Sequence, residues 1–170
     1  ENDANCFALS ELRYGAGKNY KNIVGVILGT GIGSGIIING HLYIGANGGA
    51  GEIWHNKIFD GEDFESICGG PALVKRYKEL TGKTAMPVDI LKDQKIRKEW
   101  HGNLAKGFAT IINTLNPEIV VVGGGLAQAI DFKELNKLTK ELVIPTNKVN
   151  IVAAEVGYES GVLGAASLVL

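Results

Sequence analysis

The sequence predicts an α/β domain, a mixed sheet that opens as an antiparallel meander and carries flanking helices. Three observations predict it. Apolar β-rich runs near the N-terminus are joined by short turn signals. From about residue 93 onward, helical and strand-like periodicities alternate. Glycine makes up 24 of the 170 residues, about twice the usual ~7%, and gathers at the edges of apolar segments.

The elements follow in order. Ala4 to Arg13 has an apolar face of Ala4, Phe7, Ala8 and Leu12, with Gly15 and Gly17 as stops, and predicts a helix. Asn22 to Leu28 is a buried-type strand. Beyond a glycine-rich break at 29–35, Ile36–Ile38 resumes extended structure. Asn39-Gly40 signals a two-residue type I′ turn, and His41 to Ile44 is the returning strand. Pro71 to Leu80 is helical, with Pro71 suited to the first turn and Gly82 to the stop. A longer helix spans about Asp93 to Asn113, placing Ile96, Trp100, Leu104, Phe108, Ile111 and Ile112 on one face before Pro117. Then come a strand at Glu118–Val122, a helix at Phe132–Val143, a strand at Val149–Val156 and a small-residue helix at Gly161–Leu170.

Composition narrows the function classes. At 45% hydrophobic and 21% charged residues, the chain is not a disordered segment. A net charge of −1 leaves no basic surplus for a phosphate backbone, which argues against nucleic-acid binding. No apolar run reaches the ~18 residues of a membrane span. Two cysteines, Cys6 and Cys68, build neither a disulfide framework nor a four-cysteine zinc site, so a cytoplasmic location is expected. The chain opens Glu1-Asn2-Asp3 and its only methionine is Met86, so a processed product or a piece of a longer protein is expected.

Several short patterns carry possible chemistry. Gly29-Thr30-Gly31-Ile32-Gly33-Ser34-Gly35 lies between two strands, whereas a dinucleotide fingerprint must open a helix. It reads either as a tight hairpin or as a backbone concavity for an anion, with the Thr30 hydroxyl as a further donor. Asp3, ahead of a helix, is either a cap or a general base. Glu52 and His55 stand three apart after a glycine-rich loop, with Glu65 ten residues beyond His55. They read as surface charges or caps, or as acceptors for the hydroxyls of a polyol. His41 and His101 read as structural. Gly123-Gly124-Gly125 ends a strand, where open α/β sheets bind nucleotides, or is an ordinary strand-to-helix turn.

Taken in order, these pieces resemble the ROK family of bacterial sugar kinases and related sugar-responsive repressors. The resemblance runs from ENDAN at 1–5 through VILGTGIGSGIIING at 26–40 and GANGGAGEIWH at 45–55 to NPEIVVVGGG at 116–125 and GVLGAA at 161–166. It implies an actin-like, ribonuclease-H-like two-lobed fold with the active site in the cleft. Residues 1–170 would be the larger, C-terminal lobe. The extended D-x-G-G-T phosphate loop and its lobe of roughly 100 residues are not within this chain.

The resemblance also implies roles. Asp3 matches the catalytic base and Asn2 a sugar contact; Glu52, His55 and Glu65 match further sugar contacts. Gly29, Thr30, Gly31 and Gly33 match the second phosphate loop, and Gly123, Gly124 and Gly125 the adenosine-binding turn. ATP, Mg²⁺, a hexose and a homodimer follow as expectations. Zinc is not expected, because the C-x-C-G-x-x-G-C signature is missing and only Cys68 stands near its place. Trp54 occupies a position where the family usually has glycine; an indole there would reshape the sugar pocket and report hexose by fluorescence, or mark a chain that no longer catalyses. The non-enzymatic alternative is the sugar-sensing domain of a repressor, with DNA bound by a helix-turn-helix ahead of it. Asp3 together with a complete G-T-G-x-G-x-G favours the kinase.

Overall fold

The computed structural model describes residues 1–59 and 61–168. Helix α1 (Asp3–Tyr14) leads into β1 (Ile23–Leu28), β2 (Ile32–Ile38) and β3 (His41–Tyr43). A short ribbon of β4 (Lys57–Phe59) and β5 (Glu62–Asp63) precedes α2 (Phe64–Cys68), α3 (Gly70–Thr81), α4 (Pro87–Ile90) and α5 (Gln94–Leu115). The chain closes with β6 (Ile119–Gly123), α6 (Phe132–Lys140), β7 (Ile151–Ala153) and α7 (Ser160–Ala166).

One five-stranded sheet, ordered β3-β2-β1-β6-β7, organises the molecule. The meander β1-β2-β3 is antiparallel, whereas β6 pairs parallel to β1 and β7 parallel to β6. The Asn39-Gly40 turn has φ of 52° and 81°, the left-handed pair that a type I′ turn demands.

Because side chains alternate along a strand, β1 and β6 feed two cores. Val24, Val26, Leu28, Val120 and Val122 pack with Trp100, Leu104 and Phe108 of α5. Ile23, Ile119 and Val121 pack with Phe7, Ala8 and Leu9 of α1 on the other face. Strands covered on both faces explain the unbroken apolar runs in the sequence. All six residues expected on the apolar face of α5 are buried.

Several boundaries differ from expectation, each for a packing reason. β2 starts at Ile32, not Ile36, so the break covers only residues 29–31 and Gly33 and Gly35 belong to the strand. Gly35 pairs with Gly25, and a Cβ on either would come within 2.9 Å of Ala8. Glycine inside the hairpin thus serves to let α1 down onto the sheet. β7 is only three residues long, because the amides of Glu155 and Val156 turn away to donate to the Glu11 carboxylate at 3.1 and 2.8 Å. Its outer edge is covered by Asn136, whose side chain accepts from the Ile151 amide at 3.0 Å and donates to the Ile151 carbonyl at 2.7 Å. Helix α6 stops at Lys140 and α7 begins at Ser160; residues 169–170 lie outside the described part. The short α2, α4 and β4–β5 ribbon carry too little periodicity to be legible in sequence.

Candidate active site

The loop between β1 and β2 is held by the corner where α2 meets α3. The Gly70 amide donates to the Gly29 carbonyl at 2.9 Å. From the same corner Glu65, half-buried on α2, accepts the Ile32 amide on Oε2 at 2.7 Å. Helix α2 presents that carboxylate in a fixed place because a capping box closes its N-terminus: Asp63 accepts the Ser66 amide at 2.8 Å and Ser66 Oγ accepts the Asp63 amide at 3.1 Å. The hydrogen bond from the Ser66 amide holds the Asp63 carboxyl below the usual carboxylate range. Gly31 sits directly beneath Glu65, and a Cβ there would lie 2.7 Å from Oε2. Thr30 is exposed at the tip.

The carboxyl ends of β1 and β6 lie side by side, and the turn after β6 folds back over β1. Gly124 has φ of 90° and abuts the Leu28 carbonyl, which accepts the Leu126 amide at 3.0 Å. A cavity of about 490 Å³ results, with Gly29 and Thr30 on one side, Gly125 and Leu126 on the other, and Val74, Met86 and Val88 as apolar wall. Two sequence motifs almost a hundred residues apart therefore share one cleft. Gly123 and Gly33 sit elsewhere: their Cα atoms face Phe7 and Ala4 of α1.

At the start of α1 the cap is Asn2, whose side chain accepts the Asn5 amide at 2.8 Å. Asp3 is the first residue of the helix and is exposed; its carboxylate accepts the adjacent Ala4 amide at 2.9 Å, and no ion pair among the described residues engages it. The first turn of α1 rests on β2, with the Asn5 Cα 2.9 Å from where a Gly35 Cβ would lie.

On the opposite face, the Ser34 hydroxyl donates to the Gly51 carbonyl and seats a 3₁₀ turn at Glu52–His55. Glu52 Oε2 and His55 Nε2 stand 3.4 Å apart, and both side chains are about half exposed at 53%. Between them Trp54 points the other way. It is fully buried at 0% exposure, edge-on to Phe64 (5.9 Å) and Phe108 (5.5 Å). The indole therefore belongs to the core, which corrects the expectation that it borders a sugar pocket. Through Trp54 and Phe64, the Glu52–His55 turn is packed against the helix that carries Glu65.

Ser34, Gly107 and Glu11 have structural work that sequence reasoning passed over. Ser34 locates the Glu52–His55 turn, Gly107 makes room for Trp54, and Glu11 anchors the chain before α7. Ser34 and Gly107 carry no local signal, while an acid at a position buried on α1 is visible as a break in its apolar face. Burial pushes the Cys68 thiol up to about 12. Among the described residues no three His, Cys, Asp or Glu side chains converge as a metal cage. No described helix is long and apolar enough to cross a membrane.

Comparison with known proteins adds to this geometry. The profile of the ROK family matches residues 1–170. An N-acetyl-D-glucosamine kinase of Histophilus somni is 34% identical over 201 residues, which take in 100% of this chain and 66% of that protein. The chain thus spans about two thirds of that relative's length. Among solved structures, a ROK hexokinase from Thermus thermophilus superposes with a TM-score of 0.88 at 25% identity, covering 98% of this chain and 63% of that one. A ROK family glucokinase from Streptomyces griseus, solved in complex with glucose and AMPPNP, gives 0.80 at 25% identity, covering 99% and 66%. The mixed sheet and its flanking helices are accordingly the actin-like lobe.

Proposed function

The chain belongs to the ROK family, and we propose that in its full-length protein it takes part in the ATP-dependent phosphorylation of a hexose. One observation carries the reading. The Gly29–Thr30 loop and the Gly125–Leu126 turn close on one cavity, and the helix whose Glu65 accepts the Ile32 amide packs, through Phe64, against Trp54 of the turn bearing Glu52 and His55. This supports a nucleotide site beside a polyol site.

In this reading the adenosine lies in the cavity of about 490 Å³, and the amides of Thr30 and Gly31 face phosphate oxygens, while the Gly29 amide closes the loop by donating to the Gly31 carbonyl at 3.0 Å. Gly123 and Gly33 serve the site indirectly, by letting α1 pack tightly beneath it. Asn2, Glu52, His55 and Glu65 hold the sugar by its hydroxyls. Asp3 accepts the proton of the attacking hydroxyl as it approaches the γ-phosphorus in line. Phosphoryl transfer asks mostly for such positioning, which suits a site built of backbone amides and a few carboxylates. Mg²⁺ would be held chiefly by the nucleotide phosphates and so would need no protein cage. When bound, it would supply charge neutralisation of the phosphates.

The relatives are longer than the segment they share with this chain, and the reading makes residues 1–170 the larger, C-terminal lobe of a two-lobed, homodimeric kinase. The test is ADP release by the full-length protein with ATP·Mg²⁺ and a panel of glucose and N-acetylhexosamines. Turnover that depends on one of these sugars supports the reading. Sugar binding without turnover favours the sugar-sensing alternative, and binding of neither sugar nor ATP overturns both.

A further inference from the structure

We infer that Glu65 is a positioning residue for the phosphate loop, and that its carboxylate couples this loop to the sugar side of the site. The inference rests on the sugar-kinase reading above. Three observations converge on it. Glu65 Oε2 accepts the Ile32 amide at 2.7 Å, at the point where the loop becomes β2. Gly31 leaves the carboxylate just enough room, since a Cβ there would fall 2.7 Å from Oε2. The other flank of the loop is tied to the same corner, with the Gly70 amide on the Gly29 carbonyl at 2.9 Å. The loop is therefore gripped at both ends by the α2–α3 corner, from Glu65 to Gly70.

The carboxylate's second oxygen, Oε1, has no hydrogen-bond partner among the described residues. A hydroxyl of the sugar is the group that fits it, because an ionised carboxylate only accepts. One side chain then touches the loop with one oxygen and the sugar with the other. A hydroxyl that fixes the carboxylate through Oε1 also fixes the Ile32 amide on Oε2, and with it the end of the loop. Hexose binding consequently strengthens nucleotide binding, and reciprocally so.

The test uses the full-length protein with Glu65→Ala, Glu65→Gln and Gly31→Ala. Three quantities are read: hydrogen exchange of the Ile32 amide, and by calorimetry the hexose affinity and the ADP affinity with and without hexose. Glu65→Ala is expected to speed Ile32 exchange and to weaken ADP binding about tenfold without sugar, with loss of the hexose effect. Glu65→Gln keeps an oxygen for the Ile32 amide, so exchange and sugar-free ADP affinity stay near wild type while hexose binding falls. Gly31→Ala displaces the carboxylate with Glu65 intact and should reproduce the fast Ile32 exchange, which serves if Glu65→Ala does not fold. Wild-type exchange and ADP affinity in Glu65→Ala, with weakened hexose binding, would overturn the inference and leave the kinase reading standing. A wild-type protein that binds neither ADP nor hexose defeats the kinase reading, and the coupling with it.

Discussion

The indole of Trp54 lies where a Cβ on Gly107 would have to go: Cζ3 is 2.5 Å from that position. The two residues are a complementary pair across the larger core, with Phe64 and Phe108 edge-on to the same ring. Gly107→Ala should overpack the site and cost about 1–3 kcal/mol in urea unfolding. Trp54→Phe should recover part of that loss, so the double variant is less destabilised than the sum of the singles. Strict additivity would show that the two do not share the space. Since Trp54 is walled off from solvent, its emission should be blue and insensitive to hexose.

His101 is fully buried on α5 and bridges to the start of α6. Its Nε2 accepts the Asp131 amide at 3.2 Å, which puts the ring proton on Nδ1, facing Glu134 at 3.1 Å. Burial holds the imidazole below its ordinary value, although the Glu134 carboxylate pulls the other way. The folded state thus binds this proton less readily than the unfolded chain. Its contribution is complete above pH about 6.5 and is lost as pH falls through the folded value. Unfolding free energy should therefore decline from pH 7 to pH 5, with a slope from this one site of at most about 1.4 kcal/mol per pH unit. His101→Gln should flatten the slope. Glu118 and Asp131, held low by backbone amides, act only at more acidic pH, which keeps the window clear.

Both cysteines are buried and unpaired, Cys6 under α7 and Cys68 beneath Trp100, whose Nε1–H donates to the Cys68 carbonyl at 2.8 Å. With its thiol pushed up to about 12, Cys68 has almost no thiolate at pH 8. Alkylation at that pH should leave both side chains unmodified in the folded protein and modify both in denaturant. Rapid labelling of native Cys68 would mean that the α2–α3 corner opens.

The meander and the long helix were legible because their signals are local: Asn39-Gly40 can do little but turn, and the apolar spacing of α5 repeats over 22 residues. The order of motifs was likewise enough to name the family. What could not be read depends on distant partners. Trp54 looked like a pocket residue because nothing near it in sequence announces the hollow at Gly107. Gly33 and Gly35 looked like loop because their purpose, the close approach of α1, lies on another element. Glu65 was legible as one acid of a family-like pattern, but its bond to the Ile32 amide spans 33 positions.

Glu11 offers a test of the smaller core. It is completely buried, and its carboxylate takes amides from Ala16 at 2.9 Å and Val156 at 2.8 Å. Glu11→Ala strands these donors, each at about 1–3 kcal/mol, and should raise hydrogen exchange at Glu155 and Val156 well before global unfolding. Unchanged protection there would show that α7 holds its own approach.

The most direct measurement of the central claim is the turnover of Asp3→Asn in the full-length protein. The substitution keeps the shape of the side chain and a hydrogen bond to the Ala4 amide, but it removes the proton acceptor. If Asp3 is the general base for a hexose hydroxyl, kcat should fall about 10²–10⁴-fold, with the sugar and nucleotide affinities measured by calorimetry close to wild type. An Asp3→Asn variant with wild-type kcat would contradict the account and leave Asp3 as the first residue of α1.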